Sequence, residues 1–588
     1  MAALLLASCE DGDPVACTTS ALEAGLIPLA HAYVAPDEAR IGHSRELVVD
    51  GELLFVADSN GLPILEWREG ELELLHGIEW SRTHHCSTLA LHAPSRTLVC
   101  AAADSRILTL EDVRDPERPR SRYVPEAQLP SSLMSVRDLA IAGDTVWLAT
   151  DVGLSRATIS AEGDLGPVET TGVGGDVVQV ELAGDRVVIL DRGEGLVVVD
   201  ARTLERRGGA ILDGPPIDLA LDGDRVVVSL GSEGAAIFAI DPGGQASPIA
   251  TVQPRCVATA SDLEGAQLAV ACLSGLTLYD LSGGEPRPAG FVPSRYGLLD
   301  VAFTSFGLVV VDWFRVDVLA ANPGGEVIVA DVPRAMRLAA GAGARVPLRN
   351  PGAEPLAIEW LLRRERGGGV RSGSLTLPAS GEAVVELSRA ELEAAGSLEN
   401  KAELAVFPAG AGSSCDGPRT RLWHRGPGED PAHGQPGVGD PFPTLSRTVD
   451  GAEPAVLPVA GTESLLMFVT LDCFLQWPQL EDMAWRLEHG SAGPAPVVLY
   501  LTISDPGPGD LPPPMGTFGA EALLAVPWAS YHRSVPGNET ETNPVAAFER
   551  SFLLRTPGAD FPHDYHLDAS GRVVATSRLY RGRWPLGE

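Results

Sequence analysis

The chain has 588 residues and 45% hydrophobic content, enough to fill several independent cores, and this excludes a disordered polymer. Its formal net charge of −35 is spread over all segments with no local basic face, which excludes nucleic acid as a partner. No stretch of about 18 or more uninterrupted apolar residues occurs, so no membrane-spanning helix is expected.

The first residues, Met1-Ala2-Ala3-Leu4-Leu5-Leu6-Ala7-Ser8-Cys9, are apolar and end in Leu-Ala-Ser-Cys. That ending resembles the bacterial lipobox, although the charged n-region is missing and the apolar stretch is short. The resemblance implies acylation of Cys9, a signal remnant and tether over 1–25, and a lipid-anchored place in the cell envelope, periplasm or outer surface. A chance apolar N-terminus is the other reading.

From residue 26 to 332 the sequence repeats itself. A strand, a Gly/Asp turn, an apolar strand, a second turn and a further apolar strand recur in Leu182-Ala183-Gly184-Asp185-Arg186-Val187-Val188-Ile189-Leu190 and in Leu221-Asp222-Gly223-Asp224-Arg225-Val226-Val227-Val228. Weaker copies begin near Leu47, Leu89, Leu139, Ala260 and Val301. The spacing of roughly 40 to 50 residues is that of propeller blades, which bury both faces by stacking around an axis. A seven-bladed β-propeller is therefore expected, with Pro28 to Val34 supplying a strand that closes the ring. The segments "AGDRVVILDRGEGLVVVDARTLE" and "DGDRVVVSLGSEGAAIFAIDPGG" resemble LVIVD repeats of bacterial secreted propellers. That resemblance implies a fold and is nearly silent on function.

Cys86 and Cys100 flank one hairpin turn, and Cys256 and Cys272 flank another at a like place in its repeat. Each pair suits a cross-strand disulfide in an oxidising compartment, against the alternative of buried free thiols. His76, His84, His85, Cys86 and His92 fall close together, but His84 and His85 alternate across a strand and cannot easily face one ion, so no metal site is assigned.

After Pro333 the pattern changes to alternating strands with polar turns, as in "RLAAGAGARVPLRNPGAEPLAIEWLL" and "GSLTLPASGEAVVELS". A small β-sandwich is expected over 333–424. The Arg349-Asn350-Pro351-Gly352 turn with Leu356-Ala357-Ile358 resembles immunoglobulin-like spacers of bacterial surface proteins. Residues 425–438, dense in Gly, Pro and acid, read as a linker.

From Gly439 to Glu588 the organisation is mixed α/β. A strand, Leu465 to Val469, leads to Cys473 and an expected helix over Trp477 to Glu488; a second strand runs from Val497 to Leu501, and "FPHDYHLDASGRVV" reads as strand, turn and strand. With "GDPFPTL" and "MFVTLDCFLQWPQLEDM", this unit resembles the redoxin and alkyl-hydroperoxide-reductase branch of the thioredoxin superfamily. The resemblance makes Cys473 the candidate redox thiol and Pro562 the cis-proline that shapes a substrate groove. The chemistry departs from the pattern, however: Gln476 stands where dithiol families carry the resolving cysteine, and Leu466 and Pro562 stand where peroxiredoxins carry Pro and Arg. Asp472 beside Cys473 opposes thiolate formation.

The expectation is a cell-envelope lipoprotein that acts as a binding platform through its propeller, with a degenerate thioredoxin-like domain. No cofactor is implied. The partner is an unidentified protein, peptide or small molecule, and the membrane is met only through the lipid anchor. The alternative is a thiol-dependent oxidoreductase or peroxidase using Cys473; an assembly component whose domains are all spacers is a third reading. Cys473 itself has three readings: a single redox thiol, a disulfide partner for another leftover cysteine, or a relic.

Overall fold

The computed structural model describes residues 26–33; 44–321 apart from 59–60, 78–85, 102–107, 134, 255–256, 273–274, 294–296 and 313–314; and 335–338, 343–350, 355–364, 369–379, 381–399, 402–409 and 419–424. Beyond these it describes 439, 441–442, 445–447, 455–457, 461, 463–470, 482, 485, 495–502, 529–532 and 563–577. Among the described residues no helix is long and apolar enough to cross a membrane.

The repeats form seven four-stranded antiparallel sheets. Their first strands are Ser44–Asp50, Thr88–His92, Val136–Ala142, Val177–Ala183, Asp218–Asp222, Ala258–Glu264 and Leu298–Thr304, numbered here as sheets 1 to 7. These strands lie against one another in a closed cycle, sheet 7 returning to sheet 1, which is a β-propeller. Sheet 7 takes its fourth strand from the start of the chain: Leu26–Tyr33 pairs antiparallel with Arg315–Ala321, Leu26 opposite Ala321 and Tyr33 opposite Arg315. The chain's beginning thus fastens its last sheet.

The apolar runs of the second strands follow from this stacking. A strand inside a stack of sheets is covered on both faces, so it reads as a continuous Val/Leu/Ile run with no polar alternation. Arg186–Asp191 is buried at every position but the first. Alternate side chains seal different interfaces: Val187 and Ile189 pack with Trp147 of sheet 3, whereas Val188 and Leu190 pack with Val226 and Val228 of sheet 5. Each such side chain contributes roughly 1.5–3 kcal/mol of burial. The turns between first and second strands are two residues long and begin with glycine in sheets 4 and 5, where Gly184 and Gly223 have φ of +62° and +65°. A leading Gly with positive φ matches the right-handed twist of the flanking strands.

Cys86 and Cys100 form a disulfide with their Cα atoms 5.3 Å apart. They are not facing residues of the ladder, since Cys100 lies opposite Leu89. Cys86 belongs to the linker entering sheet 2, and the bond ties that linker to the sheet's second strand.

The segment after the propeller packs a five-stranded and a two-stranded sheet around one core that includes Trp360, Leu362, Leu404 and Leu422. Only strands were expected here, yet Arg389–Ala394 is an α-helix. Ser388 and Glu391 cap it reciprocally, and Leu392 fills the core beneath it.

The C-terminal unit contains a five-stranded sheet ordered Ala529–His532, Ala495–Thr502, Ser464–Thr470, His563–Leu567 and Val573–Ser577. The first three strands are parallel and the last two antiparallel. Phe442 packs edge-on against Tyr565, with ring centroids 5.2 Å apart. Within the expected helix Trp477 to Glu488, Asp482 and Trp485 are helical and the rest lies outside the described residues.

Candidate functional site

The seven first strands enclose a central channel of about 720 Å³. In sheets 1, 3, 4, 6 and 7 the ladder slips by one residue at the start of this strand, for example between Val136 and Asp138 and between Leu298 and Asp300. A bulge of this kind re-aims the next side chain. Seven carboxylates line the channel: Glu46, Asp50, Asp138, Glu181, Asp218, Asp262 and Asp300, with Asp50 paired to Arg96.

All but Glu181 bond across the sheet junctions. Leu47 N–H donates to Asp300 (2.7 Å) and Leu89 N–H to Glu46 (3.4 Å). Asp138 accepts from the Thr88 hydroxyl (3.1 Å) on one side and from Val180 N–H (2.8 Å) on the other. Asp218 likewise accepts from the Gln179 amide (3.0 Å) and from Ser261 N–H (2.7 Å). Phe303 N–H donates to Asp262 (2.6 Å). Every one of the seven junctions is therefore crossed by a hydrogen bond to an inner carboxylate.

Burial in the stack raises the proton affinity of five of these groups. Burial, reinforced by the charge of Asp138, pushes Glu181 up to about 8. Asp218 is pushed up to about 7 by burial, against the bonds it accepts from Ser261 and Gln179. Glu46 and Asp300 are raised well above the usual carboxylate range, by burial first and neighbouring carboxylates second, and Asp262 is raised by burial. Two guanidiniums, Arg137 and Arg192, also line the channel, and both pair with Asp176. All of the carboxylates but Glu181 serve as junction acceptors.

One face of the ring carries the loops between second and third strands, together with the linkers between sheets. Asp191 holds a corner of it rigid: its Oδ1 accepts N–H groups of Gly193 (2.8 Å) and Glu194 (2.9 Å), and its Oδ2 those of Gly175 (2.7 Å) and Asp176 (3.1 Å). Ile211, in the linker between sheets 4 and 5, is 89% exposed on the same face.

Of the residues singled out from the sequence, Cys9, Cys256, Cys473 and Pro562 lie outside the described residues, as do His84 and His85. Cys86 and Cys100 are joined, and Cys272 is fully buried and disulfide-bonded. His92 is buried with its Nδ1 2.6 Å from Ser95 Oγ, while Cys86 is committed to its disulfide, so these two do not combine as ligands. The channel carboxylates escaped the sequence reading. Their signal is an acid directly before Leu or Val in successive copies: Glu46-Leu47, Asp138-Leu139, Asp218-Leu219, Asp262-Leu263 and Asp300-Val301.

No family model and no curated protein matches this chain. Among solved structures, the WD40 β-propeller domain of Doa1 is similar at 9% identity and a TM-score of 0.39, covering 50% of this chain and 97% of that one. The β-propeller domain of Cps50 (Swd1) from Myceliophteria thermophila is similar at 15% identity and a TM-score of 0.38, covering 48% of this chain and 97% of that one. A chain of the Mitotic Checkpoint Complex is similar at 10% identity and a TM-score of 0.39, covering 50% and 92%. The closed cycle of sheets carries the fold assignment.

Proposed function

We propose that this chain is a cell-envelope lipoprotein, tethered through Cys9, whose seven-bladed propeller is a binding platform for a protein partner. The platform is followed by an immunoglobulin-like spacer over 333–424 and a thioredoxin-like unit over 439–588. The observation that carries this reading is the preorganised loop face, where Asp191 fixes four backbone N–H groups beside an almost fully exposed Ile211. A rigid face loses little conformational entropy on association, and Ile211 offers a partner an apolar contact on that face.

Thiol chemistry at Cys473 is the second reading, and the C-terminal sheet favours it. Strand Ser464–Thr470, which leads to Cys473, lies between a parallel strand and the antiparallel strand that follows Pro562, with Phe468 opposite His563. This strand order supports a thioredoxin-like unit.

The two readings separate in one experiment, co-purification of envelope proteins with the tagged full chain. Under the platform reading Ile211→Arg lowers recovery of a partner roughly tenfold without changing Tm, about the effect of one lost interface anchor, and Cys473→Ser leaves it unchanged. Recovery that depends on Cys473 and is indifferent to Ile211 would move the function to thiol exchange.

A further inference from the structure

Sheets 4 and 5 carry closely related loops. Asp185-Arg186-Val187-Val188-Ile189-Leu190-Asp191-Arg192-Gly193-Glu194-Gly195 aligns without gaps on Asp224-Arg225-Val226-Val227-Val228-Ser229-Leu230-Gly231-Ser232-Glu233-Gly234. In sheet 4, Asp191 supplies the acceptor for the N–H groups of Gly193 and Glu194. The aligned residue in sheet 5 is Leu230, whose side chain accepts nothing.

The loop of sheet 5 is nevertheless satisfied. Glu233 N–H turns back to the Leu230 carbonyl (3.0 Å), and Leu230 N–H bonds the Gly234 carbonyl (2.7 Å). Ser232, the counterpart of Gly193, finds its acceptor 250 residues along the chain: its N–H donates to Asp482 Oδ1 at 2.9 Å and its hydroxyl to the same oxygen at 2.5 Å. Asp482 is fully buried. A charged acceptor bound by two donors at these distances is among the stronger hydrogen-bond arrangements. Gly231 makes room for it: its φ is +59°, and a Cβ there would sit 2.7 Å from Asp482 Oδ1. Loop geometry, the missing aspartate and the visiting carboxylate agree.

We propose that loop 230–234 is a docking site for the C-terminal unit of this same chain, with Asp482 standing in for the loop aspartate that Leu230 replaces. The C-terminal unit is thereby seated on the loop face of the propeller. A partner that uses the loops of sheet 5 has to displace it, and a segment presenting Asp or Glu has the chemistry to do so. The docking does not depend on the platform reading: failure of Ile211→Arg to affect partner recovery would sink that reading and leave this one standing.

The test uses the full chain, with small-angle scattering for its dimensions and hydrogen exchange for the Ser232 amide. Asp482→Ala is expected to enlarge the radius of gyration and to speed Ser232 amide exchange at least roughly tenfold. Leu230→Asp gives the loop its own acceptor, as in sheet 4; it is expected to enlarge the particle while the Ser232 amide stays protected. If Leu230→Asp does not fold, Ser232→Asp, which sets a second carboxylate against Asp482, replaces it with the same expected expansion. Unchanged dimensions in Asp482→Ala and in the folded loop variant, or unchanged Ser232 exchange in Asp482→Ala, would overturn the proposal.

Discussion

Raising the pH from about 5 to about 9 is expected to destabilise the propeller, and Glu181→Gln combined with Asp218→Asn is expected to remove part of that loss, the rest coming from Glu46, Asp262 and Asp300. In the folded ring Glu181 titrates at about 8 and Asp218 at about 7, against ordinary values of 4.5 and 3.8. Between the ordinary and the folded value the native state holds the extra proton, so stability falls as pH rises through this window. Below about pH 4 both states are protonated, and these groups no longer contribute to the slope. After discounting for channel water, the two groups together are worth on the order of 2–4 kcal/mol. Glu181 is surrounded by Asp138, Asp218 and Asp262, so ionisation of one opposes ionisation of the next. Thermal unfolding across pH provides the check: a wild-type Tm that is flat from acid to alkaline pH, or a double variant as steep as wild type, would contradict this account of the channel.

A chain lacking everything before Val34 is expected to lose cooperative folding of the ring. Leu26–Tyr33 contributes seven paired positions to sheet 7, and without it Arg315–Ala321 becomes an open edge. At about 1 kcal/mol net per ladder bond the loss is roughly 4–7 kcal/mol, comparable with the whole stability of many domains. An exposed edge strand also recruits other chains, so the truncated protein is expected to aggregate on warming. Addition of a peptide spanning residues 26–33 should recover part of the lost Tm. Truncation that shifts Tm by less than about 2 °C would show that the ring does not depend on this closure.

The propeller was legible because its physics is local and repeated. Runs such as Arg186-Val187-Val188-Ile189-Leu190 between glycine turns are what a strand buried on both faces requires, and the period of the copies marks the sheets. The closing strand was legible from its place ahead of the first copy. The channel was not, because the direction of Asp138 or Asp300 depends on a bulge that appears only once the strands are paired. The helix Arg389–Ala394 was overlooked although Ser388-Arg389-Ala390-Glu391 carries a capping-box pattern; six residues among strands are too few for periodicity to register. The bond between Ser232 and Asp482 joins positions with no sequence relation, so only Leu230, where sheet 4 has Asp191, hinted that an acceptor had to come from elsewhere.

The claim that the loop face is the working surface is tested most directly by site-specific photo-crosslinking of the full chain in cells. One photoreactive residue replaces Ile211 on the loop face, and another replaces Asp224 in a turn between first and second strands on the opposite face. The account predicts a discrete protein adduct from position 211 and none from position 224. Adducts from neither position, or equal adducts from both, would contradict it.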